Sequence, residues 1–287
     1  MTDPTKPVRI TRYQSGPGSS SPLGSLLLAF QDLWTHREMT WILFCRDLKA
    51  TFRGSLLGYV WLFLPPLATT VVWIILNRSR VVAFSDPDIP YPLFVLVGTI
   101  LWSSFNRAAV LPLQIFQLSK PVFSKLKIPL GAFLAVAPLR ALFDSVLYIL
   151  VASAVFIYYG ASLQTTLALV PLAVATSVLL GFAVALLLLP LSALYADVQQ
   201  GLVLFFSVAI YLAPVVYPPP KTGAFAEFMA WNPVTPVILS TRDWVFHGQP
   251  SGIPDVLLVA GGAVLVIGLM LSGMRTAMPH LTARMGM

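Results

Sequence analysis

Long apolar blocks separated by short polar stretches dominate the chain from Leu56 onward. A helix needs about 20 mostly apolar residues to cross roughly 30 Å of hydrocarbon, and its backbone groups must be bonded internally there. Six blocks meet that need: Leu56 to Leu76, Tyr91 to Leu111, one within Pro129–Tyr159, one within Thr165–Leu191, Gln200 to Tyr217, and Ile253 to Ser272. The first carries Pro65 and Pro66 at mid-depth. Adjacent prolines remove hydrogen bonds and predict a kink, which membrane helices tolerate when neighbours repair the loss.

The flanks read differently. Residues 1–22 are polar and rich in Pro, Gly and Ser, without the apolar core of a signal peptide, and read as a disordered cytoplasmic tail. Over residues 23–45, Leu26, Phe30, Leu33, Trp41 and Phe44 recur near helical spacing among Asp32, His36, Arg37 and Glu38. That pattern is too polar to span and predicts an amphipathic helix lying in the membrane interface. Residues 46–273 then form the six-span domain, and residues 274–287 a second cytoplasmic tail. The loop at 218–252 is too large for a simple connection. Within it Asn232 and Pro233 predict a helix start, an N-cap followed by proline in the first turn.

Composition supports this all-α polytopic membrane protein. Hydrophobic residues make up 57% of the chain and charged ones 10%, against about 25% charged in a soluble domain. The formal charge of +7 could suit nucleic acid, but its distribution points to anionic lipid. Twelve Lys and Arg flank one side of the spans, within 1–55, 112–128 and the last tail, while Arg78, Arg80, Lys221 and Arg242 flank the other. The positive-inside rule therefore places both termini in the cytoplasm, consistent with an even number of spans. The single cysteine, Cys45, excludes an internal disulfide.

Candidate chemistry is sparse. No G-x-x-x-x-G-K-[ST] phosphate loop occurs, so the chain does not bind ATP by that route. His36, His247 and His280 have no Cys or carboxylate at metal-ligand spacing, and neither a nucleophile elbow nor a paired-carboxylate site is visible. The reading is a non-enzyme without cofactor or metal in this chain. Within the spans, Arg140 and Asp144 sit four residues apart, share a helix face and can pair, as an internal ion pair or a substrate contact. Arg107, near the end of the second span, reads as snorkelling to the interface. Tyr59, Trp61, Phe63 and Trp73 in the first span, and Phe205, Phe206, Tyr211 and Tyr217 in the fifth, could line a path or simply pack against lipid and protein.

Four collinear segments resemble one family. RDLKATFRGSLLGYVWLFLPPL (46–67), LSKPVFSKLKIPLGAFLAV (118–136), LSALYADVQQGLVLFFSVAIYLAPVVYP (191–218) and WNPVTPVILSTRDWVFHG (231–248) are similar to segments of the permease subunits of bacterial ABC-2 type polysaccharide, O-antigen and teichoic acid exporters. The resemblance covers about residues 30 to 285. It departs from the pattern at Phe52 and Gly54, beside Arg53, and at Ala196, where an Arg commonly precedes Asp197.

The resemblance implies an N-terminal interfacial helix plus six spans, a homodimer enclosing one channel, and two copies of a separate ATP-binding subunit that holds ATP and Mg. The implied cargo is a glycan or teichoic-acid-like polymer on polyprenyl pyrophosphate, exported across the bacterial cytoplasmic (inner) membrane. Arg46, Lys49 and Arg53 would meet the pyrophosphate, or bind ordinary anionic lipid. Tyr59, Trp61, Phe63, Phe205, Tyr211 and Tyr217 would line the channel. Glu38, Lys120, Lys125 and Lys127 would take the ATPase's push, and Trp231, Asn232 and Pro233 would belong to an outer gate in loop 218–252. Two alternatives stand beside this reading: an ABC-2 permease for a small drug or lipid, and a membrane-embedded polyprenyl-sugar transferase. The transferase needs an acidic cluster that Asp32, Glu38, Asp47 and Asp197 do not form by spacing.

Overall fold

The computed structural model describes residues 31, 34–53, 58, 60–79, 89–123, 130–161, 164–195, 197–220 and 222–285. The tail at 1–22, most of the expected interfacial stretch before Trp34, and Tyr59, Arg80, Lys125, Lys127 and Lys221 lie outside the described residues.

The described residues are helical, without a strand. They form α1 (Arg37–Phe52), α2 (Val60–Arg78), α3 (Tyr91–Phe123), α4 (Leu130–Leu134), α5 (Val136–Tyr158), α6 (Val170–Leu194), α7 (Asp197–Ala209), α8 (Ala224–Trp231), α9 (Val234–Arg242) and α10 (Ile253–Met285). A 3-10 turn, Thr165–Leu169, leads into α6, and a second, Ile210–Leu212, ends α7. Four segments are long and apolar enough to cross a membrane: Tyr91–Leu118, Val136–Tyr158, Thr165–Leu194 and Ile253–Met274. They match the expected second, third, fourth and sixth spans. Shorter apolar stretches, Leu67–Leu76 and Asp197–Leu212, stand at the first and fifth positions.

α3 is the centre of the bundle. Its most apolar window is 83% buried, against 33% for α5 and 28% for α10, whose outer faces are left for lipid or another protein. α6 crosses α3 where Gly181 meets Ala108 and Ala109; a Cβ on Gly181 would stand 2.1 Å from the Phe105 carbonyl oxygen. Small residues at such crossings let backbones approach, which matters in lipid because helices gain nothing there from hiding apolar surface. Gln117 of α3 donates to Ser192 Oγ of α6 at 3.0 Å and adds a polar tie between the same two helices.

Three boundaries differ from the sequence reading. α3 continues to Phe123 rather than ending at Leu111, because Leu113 and Phe116 keep its buried stripe in helical register. α10 continues to Met285, through the residues expected as a tail. α7 starts at Asp197 and its helix is over by Leu212, not Tyr217. Pro214 explains that stop: proline lacks an N–H and pushes the preceding residue out of helical geometry, and Ala213 is extended at φ −113°, ψ 151°.

Candidate functional site

One end of the bundle carries α1. Arg46, Lys49 and Arg53 follow at intervals of three and four, so they share a face, and all three are exposed. Trp41 and Ile42 are also exposed, while Leu43 and Phe44 are buried against Phe133 and Val136. α1 is thus anchored by one stripe and offers cations and apolar side chains elsewhere. Glu38 is exposed near its start. Lys120 lies in the last turn of α3, with its side chain outside the described residues. A small cavity of about 110 Å³ lies beside Arg46 and Asp47, walled by Leu43, Ile115, Leu118 and Phe133.

Beneath α1 lies the polar centre of the molecule. Arg140 Nε donates to Asp144 Oδ1 at 3.1 Å, the pairing that their spacing predicts. Asp144 is fully buried and Arg140 nearly so. The other carboxylate oxygen, Oδ2, accepts from Arg107 Nε at 3.0 Å, so Arg107 of α3 turns inward to a carboxylate rather than snorkelling outward. A carboxylate buried in apolar surroundings attracts a guanidinium more strongly than interfacial water does. Arg140 Nη1 reaches back to α1, 3.2 Å from Thr51 Oγ1 and 3.5 Å from Asp47 Oδ2. Two arginines and two aspartates from α1, α3 and α5 therefore form one network of zero formal charge.

The face of the bundle along α7 and the start of α9 is apolar and aromatic. Asn232 Oδ1 accepts from the Val234 N–H at 3.0 Å, the cap that Asn232 and Pro233 predict, and α9 starts there. Phe205 of α7 meets Trp231, Asn232 and Pro233 around a cavity of about 600 Å³ whose other walls include Trp102, Phe105 and Phe228. Trp231 is 89% exposed. Of the other aromatic candidates, Tyr211 lies 6.3 Å from Trp73, ring to ring, which brings the ends of α7 and α2 together. The Tyr217 hydroxyl donates to the Tyr211 carbonyl. Phe63 packs towards Leu96, Ile100 and Tyr148, whereas Trp61 is exposed.

The sequence reading passed over Arg242, counting it only as a flanking charge. It is buried at the end of α9, donating to the carbonyls of Pro214 at 2.7 Å, Val215 at 2.6 Å and Phe94 at 3.3 Å, with its guanidinium 3.5 Å from the Phe94 ring centroid. The Pro214 and Val215 carbonyls are ones that the break after α7 strips of helical partners. The available signal was an Arg closing the otherwise uncharged run VTPVILST, directly after a capped start.

Among the described residues, no group of three His, Cys, Asp or Glu could hold a metal ion. The fold and these two regions define a polytopic helical membrane protein with a charged centre beneath α1 and an aromatic cavity along α7. No family model matches the chain. It is 23% identical over 240 residues to the O-antigen export system permease protein RfbA of Myxococcus xanthus, covering 82% of this chain and 91% of that protein. The protein of the same name from Klebsiella pneumoniae is 24% identical, over 78% of this chain and 86% of its own length. The polysialic acid transport protein KpsM of Escherichia coli is 23% identical, over 73% and 81%. These relatives are ABC-2 permeases, transport proteins rather than enzymes, and the resemblance drawn from the sequence motifs is to the same group.

Proposed function

We propose that this chain is the membrane subunit of an ABC-2 exporter that carries a polyprenyl-pyrophosphate-linked polysaccharide out across the bacterial inner membrane, driven by a separate ATPase. The observation that carries the reading is similarity to O-antigen and polysialic acid export proteins over 73–82% of the chain, in relatives from three organisms. The all-helical bundle suits it, and the roles of these relatives favour neither a drug or lipid permease nor a transferase.

In this reading α2 and the α7 segment complete six spans, both termini are cytoplasmic, and two copies pair across the exposed faces of these two helices. Val60, Trp61, Val71 and Val72 of α2, and Val203, Leu204, Phe205 and Val208 of α7, are the apolar side chains such pairing would enclose. The shared cationic face of Arg46, Lys49 and Arg53 meets the pyrophosphate as it arrives from the inner leaflet. Trp231, Asn232 and Pro233, beside the aromatic cavity, stand at the exit.

Deleting the gene from its host tests the function. Surface polysaccharide should disappear while lipid-linked polymer builds up inside; an unchanged surface coat would overturn the reading. For the cationic face, the triple substitution R46Q/K49Q/R53Q should stop export with membrane insertion and ATPase binding intact. Export at the parental rate would remove these residues from the substrate path.

A further inference from the structure

α1 is held to the bundle by two kinds of contact. The apolar one is Leu43 and Phe44 against Phe133 and Val136, with the Phe44 ring meeting Phe143 edge-on at 6.1 Å. Among the described residues, the polar one is centred on Arg140. Arg140 Nη1 takes Thr51 Oγ1 and Asp47 Oδ2 of α1, while its Nε holds Asp144, which in turn holds Arg107 of α3. Thr51 is poised for this: its hydroxyl donates to the Asp47 carbonyl at 2.9 Å, leaving its lone pairs towards Arg140.

The charges fix what happens if α1 separates. Docked, Arg107, Arg140, Asp144 and Asp47 sum to zero. With α1 lifted away, the remainder, buried Arg140 and Asp144 and half-buried Arg107, carries an uncompensated positive charge. Nearly buried Arg140 would lose the carboxylate that balances it, a cost that the 34% exposure of the Asp47 side chain moderates but does not remove. The apolar stripe alone has no such penalty, because α1's apolar side chains could slide along lipid or neighbouring helices without losing a partner.

We propose that Arg140 is a positioning residue which, by gripping Asp47 and Thr51, makes α1, α3 and α5 move as one body, so that a push on α1 reaches the helices inside the membrane. The inference rests on the reading of this chain as a permease driven by a separate ATPase, and adds the link through which the drive travels. α3 receives the motion through Arg107. Since α3 is the buried centre of the bundle and its far end is stitched to the Pro214 region by Arg242, movement at α1 is carried towards the aromatic cavity.

The test uses the permease with its own ATPase in lipid vesicles, reading polymer moved and ATP hydrolysed together. D47N/T51V removes both α1 partners and leaves Arg107, Asp144 and Arg140 in place. Polymer moved per ATP should fall by roughly ten-fold, the factor that goes with about 1.4 kcal/mol, while ATP hydrolysis continues; D47E should restore most of the ratio. An unchanged ratio in D47N/T51V would overturn the proposal. A second variant replaces the contact by a covalent one: F44C/F143C in a C45S background, bridged by a short dithiol-specific cross-linker. Bridging should leave export intact and should rescue D47N/T51V. Loss of export on bridging the otherwise unaltered chain means that α1 must separate from α5, and overturns the proposal even if D47N/T51V fails to assemble. A parental chain that moves no polymer with its ATPase would instead overturn the functional reading itself.

Discussion

Replacing Asp144 by Asn is the sharpest test of the charged centre. The carboxylate is fully buried and accepts from Arg107 Nε at 3.0 Å and Arg140 Nε at 3.1 Å. Asn keeps the size but removes the charge, and one of its two terminal atoms becomes a donor facing a guanidinium that can only donate. Two buried or half-buried cations are then left with Asp47 alone, 3.5 Å from Arg140. Removing one partner of a buried pair costs about 3–5 kcal/mol. At roughly 2–4 °C per kcal/mol for chains somewhat shorter than this one, the midpoint should fall by on the order of 6–20 °C. Heating the detergent-solubilised protein and measuring the fraction that stays monodisperse reads this directly. D47N provides the internal comparison: the Asp47 side chain is 34% exposed and its contact is longer, so its loss should cost about 1 kcal/mol or less. The reasoning is refuted if D144N and D47N melt together, since water would then be screening a site that the structure shows closed.

Two further substitutions probe the packing. G181V puts a branched side chain where even a Cβ would stand 2.1 Å from the Phe105 carbonyl, so α3 and α6 must part; folded protein should be lost, whereas V184A on the same helix should survive extraction. At the far end, R242M and G98A should share a phenotype, because a Cβ on Gly98 would fall 2.2 Å from the Val215 carbonyl and 2.8 Å from Arg242 Nη2. Both should speed amide exchange over residues 213–217 while leaving α1 protected; equal exchange in all three proteins would show that the clamp does not hold that segment.

How far these features were legible depended on whether they were local. The four longest spans needed only block length, and the Asn232 cap needed two neighbouring residues, so both could be read. Arg140 and Asp144 were likewise visible as a pair because helical spacing puts them on one face. Arg107 and Asp47 were not, since 37 residues separate Arg107 from Asp144 and nothing local says which way a long side chain turns. Arg242 was hidden for the same reason: its partners are carbonyls, which every sequence position has. The early end assigned to the second span was a different kind of error. Lys120 and two glutamines made residues 112–123 look like a loop, although Leu113 and Phe116 continued the apolar stripe. Lysine and glutamine are good helix formers, so polarity there marked where the membrane ends, not where the helix ends.

Two sets of contacts along α3 differ in kind. Towards α1 its contacts are charged and few, with high cost for being broken and therefore a defined geometry. Towards α9 they combine Arg242 on backbone carbonyls with aromatic rings around an open cavity of about 600 Å³. Ring faces can exchange neighbours at small cost, whereas a buried carboxylate between two guanidiniums cannot. Phe105 and Trp102 of the cavity wall lie on α3 two and five residues from Arg107, so a displacement imposed through Arg107 would be felt where the packing is softest. In the proposed permease, that asymmetry would suit a drive through α1 and a yielding wall along α7. The reverse arrangement would place the costly network where movement is needed. D144N should accordingly lower stability and coupling together, while changes confined to the cavity wall, such as F228A, should alter export with little effect on the melting midpoint.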